Sequence, residues 1–91
     1  MKEVREVKDI EKILKSLANG RRVRILKYLD LKKKAGVGEI ADAIKLSFKA
    51  TSKHLLILYS AGLVDKEQKS LTMIYSLSEP KHKIISATLS S

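Results

Sequence analysis

The spacing of apolar residues changes at Gly62. Before this glycine, apolar side chains recur every three or four positions, which is the period of an amphipathic helix. After it, Met73, Tyr75 and Leu77 alternate with polar residues, which is the period of a half-buried strand. A chain with this order must place several helices first and a β-hairpin after them.

Capping residues place the boundaries of these elements. Asn19 and Ser47 are suitable N-caps, and Gly62 is suited to a left-handed helix end. Ser78 is predicted to cap a last helix, with Pro80 in its first turn. The hairpin strands are predicted at 63–67 and 72–77 around a polar tip at 68–70, and Ala35-Gly36, which follows a run of three lysines, is interpreted as a loop. The predicted helices are about 4–18, 21–33, 37–44, 48–61 and 79–89, with a hairpin over 63–77.

The length and composition indicate one domain over residues 1–91, with a largely aliphatic core. No apolar run approaches the ~18 residues of a membrane span, and the acidic N-terminal residues argue against a signal peptide. There is no cysteine, so thiolate chemistry and disulfides are excluded. With two histidines and no glycine-rich phosphate loop, no enzyme activity and no cofactor are expected. A cytoplasmic location is predicted.

The net charge of +9 favours an anionic partner. Nucleic acid, a membrane surface and an acidic protein all fit this charge, and a basic solvated surface is the simpler alternative. A membrane-surface role for the first helix is disfavoured because its polar face carries acids as well as bases.

The segment from Val37 to Ala61 has the plan of a helix-turn-helix: a short helix, a tight turn at Lys45-Leu46, and a longer helix. The second helix of such a pair lies in the DNA major groove. No acidic residue occurs between Asp42 and Asp65, as expected for a surface that meets phosphate. The fold predicted is therefore α+β and mostly helical, a winged helix-turn-helix with a two-stranded wing.

Candidate DNA contacts follow from this placement. Lys49 and Lys53 are suited to phosphates or guanine edges, and serine hydroxyls to phosphate oxygens. Phe48 is suited either to a thymine methyl or to a hydrophobic staple at the helix start. The wing lysines are suited to flanking phosphates or to ordinary solvated charge. The predicted DNA-binding residues are Ser47, Phe48, Lys49, Thr51, Ser52, Lys53, His54, Lys66 and Lys69.

Several segments resemble the ArsR family of winged helix-turn-helix repressors. Residues 17–26, LANGRRVRIL, resemble the signature L-A-D-P-T-R-L-R-I-L. Residues 38–55 resemble its E-L-A…S-x-H-L stretch, and 61–64 and 74–77 resemble its A-G-L-V and Y-Y-x-L segments. The likeness covers roughly Ile13 to Leu77.

The resemblance implies a repressor that binds a near-palindromic operator in double-stranded DNA as a homodimer formed through the first and last helices. The corresponding dimerisation residues are Val7, Ile10, Leu14, Ile84, Ile85 and Leu89. The chain departs from the family at Lys45, where glycine is common, and it lacks the cysteine pair of the metal sensors. Glu79 and His82 are a weak candidate for a second kind of family metal site, so no metal is predicted and any effector is unknown.

One rival hypothesis keeps the scaffold but changes the partner. A winged helix can bind RNA, protein or DNA non-specifically, because fold does not decide function. Preference for duplex over single-stranded nucleic acid separates these alternatives.

Overall fold

The computed structural model describes the backbone of residues 2–91 and the side chains of residues 6–91. Five helices and three strands follow one another along this part of the chain. They are α1 (Lys2–Leu17), α2 (Gly20–Lys32), β1 (Lys34–Gly36), α3 (Val37–Ile44), α4 (Phe48–Ser60), β2 (Val64–Lys69), β3 (Thr72–Leu77) and α5 (Lys83–Leu89). The α+β, mostly helical architecture predicted from the sequence is confirmed.

Side-chain caps explain why α2 and α4 begin where they do. The Asn19 Oδ1 accepts hydrogen bonds from the backbone N–H groups of Arg21 and Arg22, at 3.0 and 3.2 Å. The Ser47 Oγ accepts one from the Ala50 N–H at 3.1 Å. Each of these bonds satisfies a donor that the first turn of a helix leaves unpaired. Both N-caps predicted from the sequence are confirmed.

Each of the two helices of the helix-turn-helix, α3 and α4, is followed by a residue in the left-handed conformation. Gly62 has φ +76°, and the Leu63 N–H donates to the Leu58 carbonyl at 3.0 Å. Lys45 has φ 58° and ψ 50°, and the Leu46 N–H donates to the Ala41 carbonyl at 3.0 Å. These six-to-one bonds define the Schellman ending. Lys45 therefore stands in a conformation that glycine adopts at lower cost.

The sheet is larger than the hairpin predicted from the sequence. β3 lies in the centre, with β2 antiparallel on one side and the short β1 antiparallel on the other. The prediction of a loop at Ala35-Gly36 was wrong, because pairing of Ala35 with Tyr75 stabilises a strand, Lys34–Gly36, that is too short to show a pattern of its own. A side chain at Gly36 would press on the Thr72 Cγ2 at 3.1 Å, which explains a glycine where β1 meets β3.

The last helix starts later than predicted. Ser78 extends the sheet instead of capping α5, because its N–H donates to the Leu63 carbonyl at 3.1 Å. Its hydroxyl donates to Asp65. Pro80 consequently precedes the helix, and His82 is the N-cap, with its Nδ1 accepting from the Ile84 N–H.

One core joins the helices to the sheet. Buried apolar residues of α2, α3 and α4 form most of this core, and Tyr75 and Leu77 of β3 complete it. Buried apolar residues of the cluster are Ile13, Ile25, Leu26, Leu29, Ala35, Val37, Ile40, Ile44, Leu55, Leu58, Leu63, Val64, Tyr75, Leu77 and Ile85. No helix in residues 2–91 has the length and apolar character needed to cross a bilayer.

Candidate nucleic-acid interface

The helix-turn-helix is built by α3 and α4, which pack on each other through their buried faces. In α4, Thr51, Leu55 and Leu58 are buried against the core. The opposite face is left to solvent, and Lys49 and Lys53 lie on it, one turn apart and both exposed. Ser52 lies beside them and is half-buried. The first two turns of α4 therefore present a cationic, hydrogen-bonding surface to solvent.

Thr51 does not belong to that surface, and its inclusion among the DNA-binding residues was wrong. Its side chain is 0% exposed, and its hydroxyl donates to the Ser47 carbonyl at 2.9 Å. This bond fastens the first turn of α4 from the core side. Ser47 is exposed, and its hydroxyl oxygen accepts the capping bond while its O–H is still a donor for an anion.

His54 faces the α1–α2 junction. Its Nδ1 lies 3.3 Å from the Nη1 of Arg22. Burial, together with the nearby charges of Arg22 and Arg21, lowers the pKa of His54 below its ordinary value. A neutral imidazole is therefore favoured at neutral pH, with Nδ1 accepting from the guanidinium.

Arg22 connects three helices. Its Nε donates to the Ser16 carbonyl at 2.7 Å, and its Nη2 donates to the Lys15 carbonyl at 3.3 Å. Both carbonyls lie at the C-terminal end of α1, where the helix dipole favours a positive charge. An arginine in the first turn of a helix opposes the helix dipole, so a carboxylate or a phosphate is the expected partner. The partners of Arg22 are instead backbone carbonyls and a histidine, a pairing with no signature in the sequence.

The wing lysines have different surroundings. The Nζ of Lys66 lies over the Tyr59 ring, 4.4 Å from the ring centroid. The positive charge of Lys66 therefore lies beside the C-terminal half of α4, in a cation–π contact. Lys69, near the tip of the hairpin, lies 3.7 Å from a Glu67 carboxylate oxygen, and both side chains are largely exposed. An ion pair of this kind contributes little and is easily exchanged for another anion.

Phe48 is exposed at the start of α4, on the wing side. It lines a groove of about 550 Å³ together with Gly36, Met73 and the hairpin residue Leu71. The hairpin tip therefore lies on the same side of the molecule as the N-terminal end of α4. Leu71 was not singled out from the sequence, since the tip was interpreted as polar.

A second surface of the molecule is apolar. Val7, Ile10 and Leu14 of α1 are 66%, 42% and 50% exposed and form one row at helical spacing. Ile13, on another side of the same helix, is buried in the core instead. Thus α1 has two apolar faces, of which the described part of the protomer covers only one. Val4, which helical spacing places on the same stripe as Val7, lies outside the described side chains.

The dimerisation residues predicted on α5 also differ in how deeply they are buried. Ile84 and Leu89 are half-buried at the edge of the core. Ile85 is 3% exposed and fills the core of its own protomer, so its inclusion among the dimerisation residues was wrong.

Metal-ligating groups are dispersed. No group of three histidine, aspartate or glutamate side chains converges in the part of the chain whose side chains are described. Glu79 pairs with Lys81 at 2.7 Å, and one ring nitrogen of His82 accepts the capping bond of α5.

Comparison with known proteins places this geometry in a family. Residues 19–66 match the profile of bacterial regulatory proteins of the arsR family. The transcriptional activator HlyU of Vibrio cholerae is 39% identical over 71 residues, which cover 78% of this chain and 65% of that protein. The regulator YgaV of Escherichia coli is 31% identical over 85% of this chain and 78% of its own length.

The fold matches those of solved structures. A winged helix-turn-helix DNA-binding domain from Mycobacterium bovis, described as homodimeric, superposes with a TM-score of 0.81 at 25% identity and covers 97% of this chain and 78% of that one. The matched relatives are regulators and not enzymes. The chain belongs to the ArsR family of bacterial transcriptional regulators and has its winged helix-turn-helix fold.

Proposed function

We propose that the protein binds a specific site in double-stranded DNA as a homodimer and represses transcription there, in the cytoplasm. The observation that carries this proposal is the division of α4 into a buried apolar face and an exposed face with Lys49, Ser52 and Lys53. The absence of acids between residues 42 and 65 leaves that face strongly cationic.

In this proposal α4 lies in the major groove. Lys49 and Lys53 contact phosphates or guanine edges, and Ser47 and Ser52 donate to phosphate oxygens. Lys69 reaches a flanking phosphate, with Glu67 displaced. Lys66 stays on the Tyr59 ring and adds to the local potential. His54 acts indirectly, by positioning α4 against Arg22.

The dimer of this proposal forms through the exposed row of α1, with Ile84 and Leu89 of α5 at its margin. Burying Val7, Ile10 and Leu14 removes from water apolar surface that a lone protomer leaves exposed. Two copies then present two α4 helices to successive half-sites about one helical turn apart.

The test is fluorescence anisotropy with the duplex upstream of the protein's own gene, a scrambled duplex, and a single strand, at several salt concentrations. We expect at least ~1,000-fold preference for the first duplex, with an affinity that falls with salt. Equal affinity for all three nucleic acids contradicts sequence-specific recognition.

A matched pair of variants locates the interface. Lys53→Ala is expected to weaken specific binding about tenfold, whereas Lys83→Ala on α5, with the same change of charge, leaves it nearly unchanged. Equal effects of the two variants would mean that only net charge is sensed. The HlyU relative is named an activator, so repression has to be tested directly. In vitro transcription from the bound promoter distinguishes repression from activation.

A further inference from the structure

The turn of the β2–β3 hairpin exposes an apolar side chain completely. Lys69 pairs with Thr72, which leaves Ser70 and Leu71 as the two turn residues. Leu71 is 98% exposed, more than any other large apolar residue among those whose exposure is described. Turns of this kind favour glycine, asparagine, aspartate or serine. None of the described side chains buries this leucine.

The surroundings of Leu71 indicate what it meets. It shares the groove described above with Phe48, the first residue of α4, so it extends from the side of the molecule that carries the candidate DNA surface. Lys69 precedes it by two positions and holds only an exposed ion pair. The Gln68 side chain donates to the Ser70 carbonyl at 3.3 Å, which helps to hold the turn in shape. An apolar tip flanked by a cation suits a polyanion with an apolar interior.

We propose that Leu71 is a wedge that enters the DNA minor groove beside the α4 site and partly unstacks one base step. This inference rests on the proposed function, because the wing reaches a minor groove only when α4 lies in the adjacent major groove. Apolar side chains at a protein tip are known to open base steps and bend the duplex toward the major groove. Lys69 then neutralises a phosphate at the widened groove.

The wedge has a consequence for sequence preference. Pyrimidine–purine steps such as TA and CA unstack at lower cost than other steps. The protein therefore prefers such a step at the flanking position, although Leu71 makes no hydrogen bond with the bases there. Sequence specificity at that position depends on how easily the base step deforms and not on hydrogen bonds to the base edges.

The experiment uses the full chain and an operator duplex that carries 2-aminopurine at the flanking step, whose fluorescence rises on unstacking. Leu71→Ala is compared with Leu31→Ala, which removes a 76% exposed leucine from α2, in a different groove. We expect the unmodified protein and Leu31→Ala to raise the fluorescence equally. For Leu71→Ala we expect no rise, an affinity about tenfold lower, and a smaller bend by energy transfer between the duplex ends.

The outcomes distinguish the wedge from DNA binding itself. Tight specific binding by both variants, with equal fluorescence and equal bend, overturns the wedge and leaves the proposed function intact. No binding by the unmodified protein overturns both. A change from dimer to monomer in Leu71→Ala, seen by sedimentation, would show that the tip contacts a second copy, which also overturns the wedge.

Discussion

Replacing Arg22 by alanine tests whether this side chain holds α1, α2 and α4 together. The change removes a 2.7 Å bond to the Ser16 carbonyl and two weaker contacts at 3.3 Å, one of them to His54. A hydrogen bond from a charged donor contributes at least about 1.5 kcal/mol to the free energy of unfolding. We use this low value because Arg22 is half-exposed. The favourable charge at the end of α1 adds about 0.5 kcal/mol.

The expected loss in the free energy of unfolding is therefore about 2 kcal/mol. With an unfolding entropy of about 2.1 cal/mol/K per residue, a chain of this length loses about 10 °C in Tm. Urea unfolding is followed by circular dichroism at one fixed protein concentration, because the stability of a dimer depends on concentration.

Two further variants make this result specific. Arg21→Ala removes an exposed arginine from the same turn, whose side chain makes no hydrogen bond within the described residues, and we expect a change within about 0.5 kcal/mol. Arg22→Lys keeps the charge but cannot make the forked contacts, so an intermediate loss is expected. If Arg22→Ala costs no more than Arg21→Ala, the proposed connection between helices does not stabilise the fold.

Three other predictions follow from the geometry. Lys45→Gly is expected to raise the free energy of unfolding by about 0.5 kcal/mol, because relief of the left-handed strain exceeds the added entropy of the unfolded chain; Lys45→Ala, which keeps the strain, should show no gain. Because the pKa of His54 is lowered on folding, the unfolded chain takes up this proton first. The contribution of His54 to the free energy of unfolding is complete above its unfolded pKa of about 6.5 and is lost as the pH falls through its lower folded pKa. In urea titrations at several pH values, the free energy of unfolding of His54→Gln should therefore fall less toward acid pH than that of the unmodified protein. Leu14→Lys is expected to give monomers in sedimentation while Leu31→Lys stays dimeric, and monomers in the unmodified protein would contradict the dimer.

The elements with local signals were predictable from the sequence. Asn19, Ser47 and Gly62 each act on backbone groups within a few residues, so they identify helix ends without knowledge of the fold. The buried face of α4 follows from helical spacing alone, and with it the exposed positions of Lys49 and Lys53. These signals sufficed to place the helix-turn-helix and the hairpin after it.

Other features depend on partners far along the chain, and only the tertiary structure decided them. β1 exists because β3 pairs with it, and Ser78 continues the sheet because Leu63 lies opposite. The apolar pattern of α1 did not show which residues its own core covers, since Ile13 and Leu14 are equally apolar neighbours.

The candidate site divides in the same way between sequence and tertiary structure. Helical spacing identified a cationic face, and it also places Thr51 on the side of Leu55 and Leu58, where a local bond to Ser47 holds its hydroxyl. The Arg22 contact that draws His54 aside, in contrast, involves packing between elements. The exposure of Leu71 depends on the register of the hairpin, which places it at the tip. Residue type and spacing determine local conformation, whereas burial and partnership are properties of the assembled chain.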